Sequence, residues 1–158
     1  MEEAYDQFNY LIVDDFEQMR VSLRGMLGSF GAERITICST GEEGLKHLSS
    51  ATYDVVICDY NLGEGRDGQQ LLEEARYQGY LKHASIFFMV TAESSMPFVL
   101  GALEQQPDEY MVKPLNQEAL HHRLEIAIQR KRELLPVDSA LAENDIEGAI
   151  KYCAENRG

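Results

Sequence analysis

The chain predicts an α/β fold, a doubly wound five-stranded parallel sheet with a C-terminal helical extension, and three features predict it. Short apolar runs recur at Tyr10–Val13, Ile35–Cys38, Val55–Cys58, Ile86–Val90 and Glu109–Val112, as buried parallel strands read. Segments with apolar residues at helical spacing alternate with them, the rhythm of a sheet covered on both faces. Most of these runs also end in polar side chains: Asp14 and Asp15, then Asp59, Thr91 and Lys113. Ligands of open α/β sheets gather outside the carboxyl ends of the strands, so these groups point into one crevice.

The helices follow in order. From Phe16 to Phe30, residues Met19, Leu23, Met26, Leu27 and Phe30 recur at helical spacing, and Gly31 stops the run. Thr40 to Glu43 reads as a capping box opening a helix to about Ser50, with Leu45 and Leu48 inward. Its glycines imitate a phosphate loop, but they follow the second strand and lack a Walker lysine. The third helix runs from Gly68 to Gln78, with Leu71, Leu72 and Ala75 inward, before Gly79 breaks it. A fourth starts near Pro97 and ends by Gln106 and Pro107. The fifth follows an N-cap at Asn116 and carries Leu120, Leu124, Ala127, Ile128 and Leu135 on one face. Its basic end, Gln129–Arg132, offsets the helix dipole and reads as solvated surface.

Three carboxylates in one crevice repel and raise one another's pKa unless a cation is present. A divalent ion and an ammonium favour the ionised forms. Mg²⁺ takes oxygen ligands, keeps several waters and suits one or two carboxylates plus a phosphate, so the constellation reads as a phosphoryl site. The stretch from Asp59 through Asn61 to Gly63 half-matches a calcium loop, but its glycine and distal glutamate are misplaced.

In this order and spacing, Asp14-Asp15, Asp59, Thr91-Ala92 and Tyr110 to Lys113-Pro114 resemble the receiver domain of two-component response regulators, over roughly residues 8 to 133. The resemblance implies a flavodoxin-like sheet of order 2-1-3-4-5. It implies that Asp59 is the nucleophile, accepting a phosphoryl group from the phosphohistidine of a sensor histidine kinase or phosphotransfer protein. Asp15 then binds Mg²⁺ directly, Asp14 through a water, and Asn61 through its backbone carbonyl, alongside Asp59 itself. Lys113 supplies charge, Thr91 donates to the phosphoryl group, and Tyr110 is the rotating aromatic of the switch. Asn61 and Glu93 stand where the family tunes hydrolysis of the acyl phosphate. Output passes to a downstream protein through the fourth helix, fifth strand and fifth helix, roughly Met96 to Arg132, or through the helical extension. No turnover of a separate substrate is expected beyond self-phosphorylation and self-dephosphorylation. A second reading keeps the fold as an interaction or dimerisation module that works without phosphorylation. An aspartyl phosphatase would want another acid two residues after Asp59, where Asn61 stands. Two segments depart from the family pattern. Asp59 to Gly68 lacks Met-Pro and is one residue longer, and its glycines predict a looser loop. Gln105 to Asp108 stands where Gly-Ala is usual.

With 158 residues, 44% of them hydrophobic, the chain can bury one core with something appended. A net charge of −13 argues against nucleic acid or an anionic membrane as partner. The N-terminus lacks the charged and apolar regions of a signal peptide and no apolar run approaches ~20 residues, so a cytoplasmic protein is expected. Cys38, Cys58 and Cys153 show no metal or redox spacing, and the first two fall in strands as small apolar residues. His121 and His122 read as a surface helix face. Pro136 is expected to end or kink the fifth helix. Asp138–Cys153 then reads as two short helices joined near Asn144 and Asp145, resembling the middle of a tetratricopeptide repeat with its small residue at Ala149. The division is a receiver domain over 1–133 and a helical extension over 134–158, read either as the start of a helical-repeat region or as a tail that docks on the receiver or on another subunit.

Overall fold

The computed structural model describes residues 5–142, with side chains described as far as Glu133. After a 3-10 turn at Tyr5–Gln7 come β1 (Asn9–Val13), α1 (Glu17–Ser29), β2 (Arg34–Cys38), α2 (Gly41–Ser50), β3 (Val55–Asp59), α3 (Gly68–Tyr77), β4 (Ile86–Thr91), α4 (Met96–Leu100), β5 (Glu109–Val112) and α5 (Gln117–Ala142). The five strands form one sheet in the order β2-β1-β3-β4-β5, and every pairing is parallel. This is the flavodoxin-like topology.

Alternation along the strands divides the apolar residues between two cores. Tyr10, Ile12, Val55, Ile57, Phe88 and Val90 face α1 and α5, where Leu23, Leu27, Leu120, Leu124 and Ile128 close the layer. Leu11, Val13, Val56, Cys58, Phe87 and Met89 face the other way, against Leu48, Leu71, Leu72 and Ala75 of α2 and α3. Burying each large aliphatic side chain contributes roughly 1.5–3 kcal/mol, so the inner strands have little freedom to slip register. Register then aligns the site. Val13 pairs with Cys58, Asp59 with Val90 and Thr91 with Val112, which brings the polar termini to one rim.

Local signals set most helix ends. Gly31, at φ 104, turns the chain after α1, and the Asn116 side chain caps α5 by accepting from the Ala119 N–H at 3.1 Å. Thr40 caps α2 by accepting from the Glu43 N–H at 3.1 Å, but the Glu43 carboxylate reaches the Ser39 N–H at 3.4 Å instead of closing the box on Thr40.

Two helices differ from expectation. α4 stops at Leu100, because the Gln106 side chain folds back and donates its amide to the carbonyls of Leu100, Gly101 and Leu103, satisfying groups that a longer helix would have paired internally. α5 does not end at Pro136. It runs on to Ala142, and the one hydrogen bond a proline removes is lost within a helix of 26 residues. Of the segment Asp138–Cys153, read as two short helices, residues 138–142 instead continue α5, and the remainder lies outside the described residues.

Candidate functional site

Each acid of the rim is placed by the strand that precedes it. Asp14 and Asp15 follow β1, and the Asp14 N–H donates to the Cys38 carbonyl, continuing the ladder past the last strand residue. The Asp14 carboxylate turns back to accept from the Phe16 N–H at 2.9 Å, so the start of α1 fixes its orientation. Asp59 ends β3, and the Tyr60 N–H donates to the Val90 carbonyl, tying the strand end to β4. The chain then turns so tightly that a Cβ on Gly68 would lie 2.6 Å from the Asp59 carbonyl oxygen and 2.8 Å from Met89 Sδ. No larger residue fits there. Lys113 follows β5, its N–H bonded to the Thr91 carbonyl, and a cis Lys113–Pro114 peptide comes next.

These groups converge. Carboxylate oxygens of Asp14, Asp15 and Asp59 lie within 4.8 Å of one another. Lys113 Nζ reaches Asp59 Oδ2 at 3.0 Å and Asp14 Oδ2 at 3.3 Å. Asp14 and Asp59 are buried and Asp15 is exposed. Burial pushes the Asp59 carboxyl above its ordinary 3.8, and the nearby Asp14 charge adds to that, while Lys113 opposes both without cancelling them. Burial alone would lower the Lys113 ammonium, but hydrogen bonding and attraction to Asp59, then Asp14, hold it above its ordinary value. One ammonium among three acids leaves negative charge uncompensated. An all-oxygen donor set with excess negative charge fits a hard divalent cation such as Mg²⁺.

The remaining rim residues take definite places. The Asn61 N–H points to Asp59 Oδ1 at 3.4 Å, and the Asn61 side chain accepts from the Gly63 N–H at 3.1 Å. Thr91 is buried and its hydroxyl oxygen accepts from the Glu93 N–H at 3.2 Å, which leaves its hydrogen available for another acceptor. Asn61 and Glu93 are both exposed. Tyr110 is half-buried, and its hydroxyl donates to Gln106 Oε1 at 2.7 Å.

The profile of the response regulator receiver domain matches residues 10–125. The chain belongs to that family. Chemotaxis protein CheY of Pseudomonas aeruginosa is 32% identical over 120 residues, 76% of this chain and 95% of that protein. Among solved structures, the chemotaxis response regulator CheY4 of Vibrio cholerae is similar, with 26% identity over 76% of this chain and 98% of that one at a TM-score of 0.66. A CheY-like receiver domain protein of Methanospirillum hungatei aligns at 25% identity over 80% of this chain and 97% of that one, with a TM-score of 0.70.

The receiver fold therefore brings Asp14, Asp15, Asp59 and Lys113 into contact distance and sets Thr91, Asn61 and Glu93 along the same rim. Tyr110 stands apart from the carboxylates, on the α4 side. Three features went unread in the sequence. Asp67 caps α3 in a reciprocal box with Gln70, a signature the spacing of 67 and 70 carries. Glu42 binds Arg66, 24 positions away, for which no local pattern exists. His121 is no plain surface residue: its ring stacks on Phe30 at 4.5 Å and its Nε2 meets Glu125 at 3.1 Å, because Tyr5 and Phe30 close over the end of α5. Cys38 and Cys58 are buried as expected, and burial pushes the Cys38 thiol up to about 12, so neither is a ready nucleophile.

Proposed function

We propose that the protein is a phosphoacceptor switch, in which Asp59 takes a phosphoryl group from a phosphohistidine of a sensor histidine kinase or phosphotransfer protein. The observation that carries this reading is the pairing of Lys113 Nζ with Asp59 Oδ2 at 3.0 Å inside a cluster that still holds excess negative charge. An Asp59 oxygen attacks phosphorus, a P–O bond forms as the donor's P–N bond breaks, and the imidazole leaves. Phosphoryl transfer asks mainly for positioning and charge neutralisation, which Lys113 supplies from the protein side. Asp14, Asp15, Asp59 and the Asn61 carbonyl would hold Mg²⁺, whose charge offsets that of the transferred oxygens when bound. Asn61 and Glu93, both exposed beside the acceptor, tune hydrolysis by admitting or orienting water.

The switch follows from differential contact. The Thr91 hydroxyl hydrogen binds a phosphoryl oxygen only in the modified state, and Tyr110 responds to the space that Thr91 vacates. Such couplings are worth about 1–3 kcal/mol, so phosphorylation biases an equilibrium. The output surface spans α4, β5 and α5, where Phe98, Val99, Leu103, Val112 and Ile126 are exposed and available to a downstream protein. The receiver unit over 1–133 continues into the extension through α5. No described helix is long and apolar enough to cross a membrane.

Incubation with acetyl phosphate and Mg²⁺, followed by intact-mass analysis, tests the reading. The parent gains one phosphoryl group and Asp59→Asn gains none. Equal modification of both, or of neither, overturns it. An intact acceptor cluster sets this reading above a phosphorylation-independent interaction module.

A further inference from the structure

The loop between Asp59 and Gly68 is glycine-rich and longer than usual, yet the structure ties it down at both ends. Arg66 N–H donates to Glu42 Oε1 and Arg66 Nε to Glu42 Oε2, each at 3.0 Å. Glu42 lies in the first turn of α2, which Thr40 caps independently. Close approach to backbone demands glycine at position 41, and a left-handed backbone favours it at 65. A Cβ on Gly41 would fall 2.8 Å from Arg66 Cβ and 2.9 Å from the Arg66 carbonyl oxygen. A Cβ on Gly65, at φ +90, would fall 2.8 Å from Glu42 Oε1. The other end of the loop rests on the acid cluster. Gly63, at φ +76, sits within van der Waals reach of Asp15, where a Cβ would be 3.7 Å from Asp15 Oδ2, and the Asn61 N–H faces Asp59. The loop thus lies against α2 on one side and within van der Waals reach of Asp15 on the other.

We infer that Glu42 is a positioning residue for the cation site: by gripping Arg66 it holds the loop that carries the Asn61 carbonyl and Gly63 beside Asp15. This inference rests on the phosphoacceptor reading. Holding the loop in place before the ion arrives removes the ordering cost from binding, as preorganisation does at any site. Glu42 stands outside the carboxylate cluster. Its effect therefore passes through loop geometry.

Charge and geometry make opposite predictions for Arg66. Removing a nearby cation by Arg66→Ala should tighten Mg²⁺ binding if only long-range charge matters, whereas loss of the grip should weaken it. The experiment titrates Mg²⁺ calorimetrically into the full chain as parent, Glu42→Ala and Arg66→Ala, and follows amide hydrogen exchange of residues 61–67 without metal. Glu42→Ala loses both bonds and is expected to lose about threefold or more in Mg²⁺ affinity, whereas Arg66→Ala keeps the backbone bond, loses only the ion pair and should weaken binding by a smaller factor. Exchange of the 61–67 amides should rise while the melting midpoint in EDTA stays near the parent's. The double variant should bind no worse than Glu42→Ala alone, since one grip is lost once. Parent-like affinity in Glu42→Ala, or tighter binding in Arg66→Ala, overturns the inference. A parent that binds no Mg²⁺ overturns it together with the phosphoacceptor reading, so the two failures are distinguishable.

Discussion

The two ends of the sheet both pair aspartate with lysine, and they use the pair differently. At the amino ends of the strands, Asp54 accepts from the Asn9 N–H at 2.7 Å and meets Lys82 at 2.9 Å. Asp108 accepts from the Phe87 N–H at 2.7 Å and meets Lys131 at 2.9 Å. Each carboxylate there accepts from an amide at the start of a strand, the first of β1 or the second of β4, and has a lysine of its own. At the carboxyl ends, Asp14 and Asp59 share Lys113, with Asp15 beside them. Exposure sharpens the contrast, since the Lys82 side chain is 46% exposed and those of Asp14 and Asp59 only 2% and 8%. An acid whose charge is consumed by the fold is structural, and buried acids left with too little positive charge form a site.

The comparison can be broken by removing each partner in turn. Lys113→Met leaves two buried carboxylates without their ammonium and is expected to cost about 3 kcal/mol in metal-free protein at neutral pH, as breaking a buried pair does. Urea unfolding in EDTA measures it, and a loss below about 1 kcal/mol would show that these acids need no such partner. Asp108→Ala, at the other end, strips the acceptor from the Phe87 N–H and should cost about 2 kcal/mol in the same assay, with no effect on Mg²⁺ affinity. Lys82→Met touches an exposed pair and should cost less than about 1 kcal/mol, shrinking as salt is added.

The smallest effect is a slope with pH. The folded state raises the Asp59 pKa above 3.8, so it binds that proton more tightly than the unfolded chain. Its contribution to stability is therefore present at low pH and is lost as pH rises from 3.8 through the folded value. Subtracting the stability of Asp59→Asn from that of the metal-free parent across this window should give a difference that falls with pH. A flat or rising difference would mean that Lys113 fully compensates the carboxylate.

Much of the site was legible because its parts stand at the ends of apolar runs. Asp14, Asp15, Asp59, Thr91 and Lys113 each follow a run whose burial is a local property of the chain, and the parallel topology delivers those ends to one rim. Asp54 and Asp108 were not legible. They are two among 27 acids, and the amides they bind lie 45 and 21 positions away. The extent of α4 was misread for a similar reason. Pro97 and Gln106-Pro107 suggested its bounds, and neither shows that the Gln106 amide folds back onto carbonyls three to six residues earlier. The glycines after Asp59 were read for their freedom alone, whereas Gly65, at φ +90, also lies directly against the Glu42 carboxylate.

The order of strands and helices along the chain, the two-sided burial of the sheet and the polar residues at its carboxyl edge were determined by the sequence alone, since hydrophobic periodicity and capping act over a few residues. Which acids are neutralised, where α4 stops, how the loop after Asp59 is gripped and where His121 packs were decided only by the tertiary structure. Those outcomes depend on separations in space between residues tens of positions apart. Lys113 meets Asp59 across 54 positions and Asp14 across 99, and no window along the chain contains either distance.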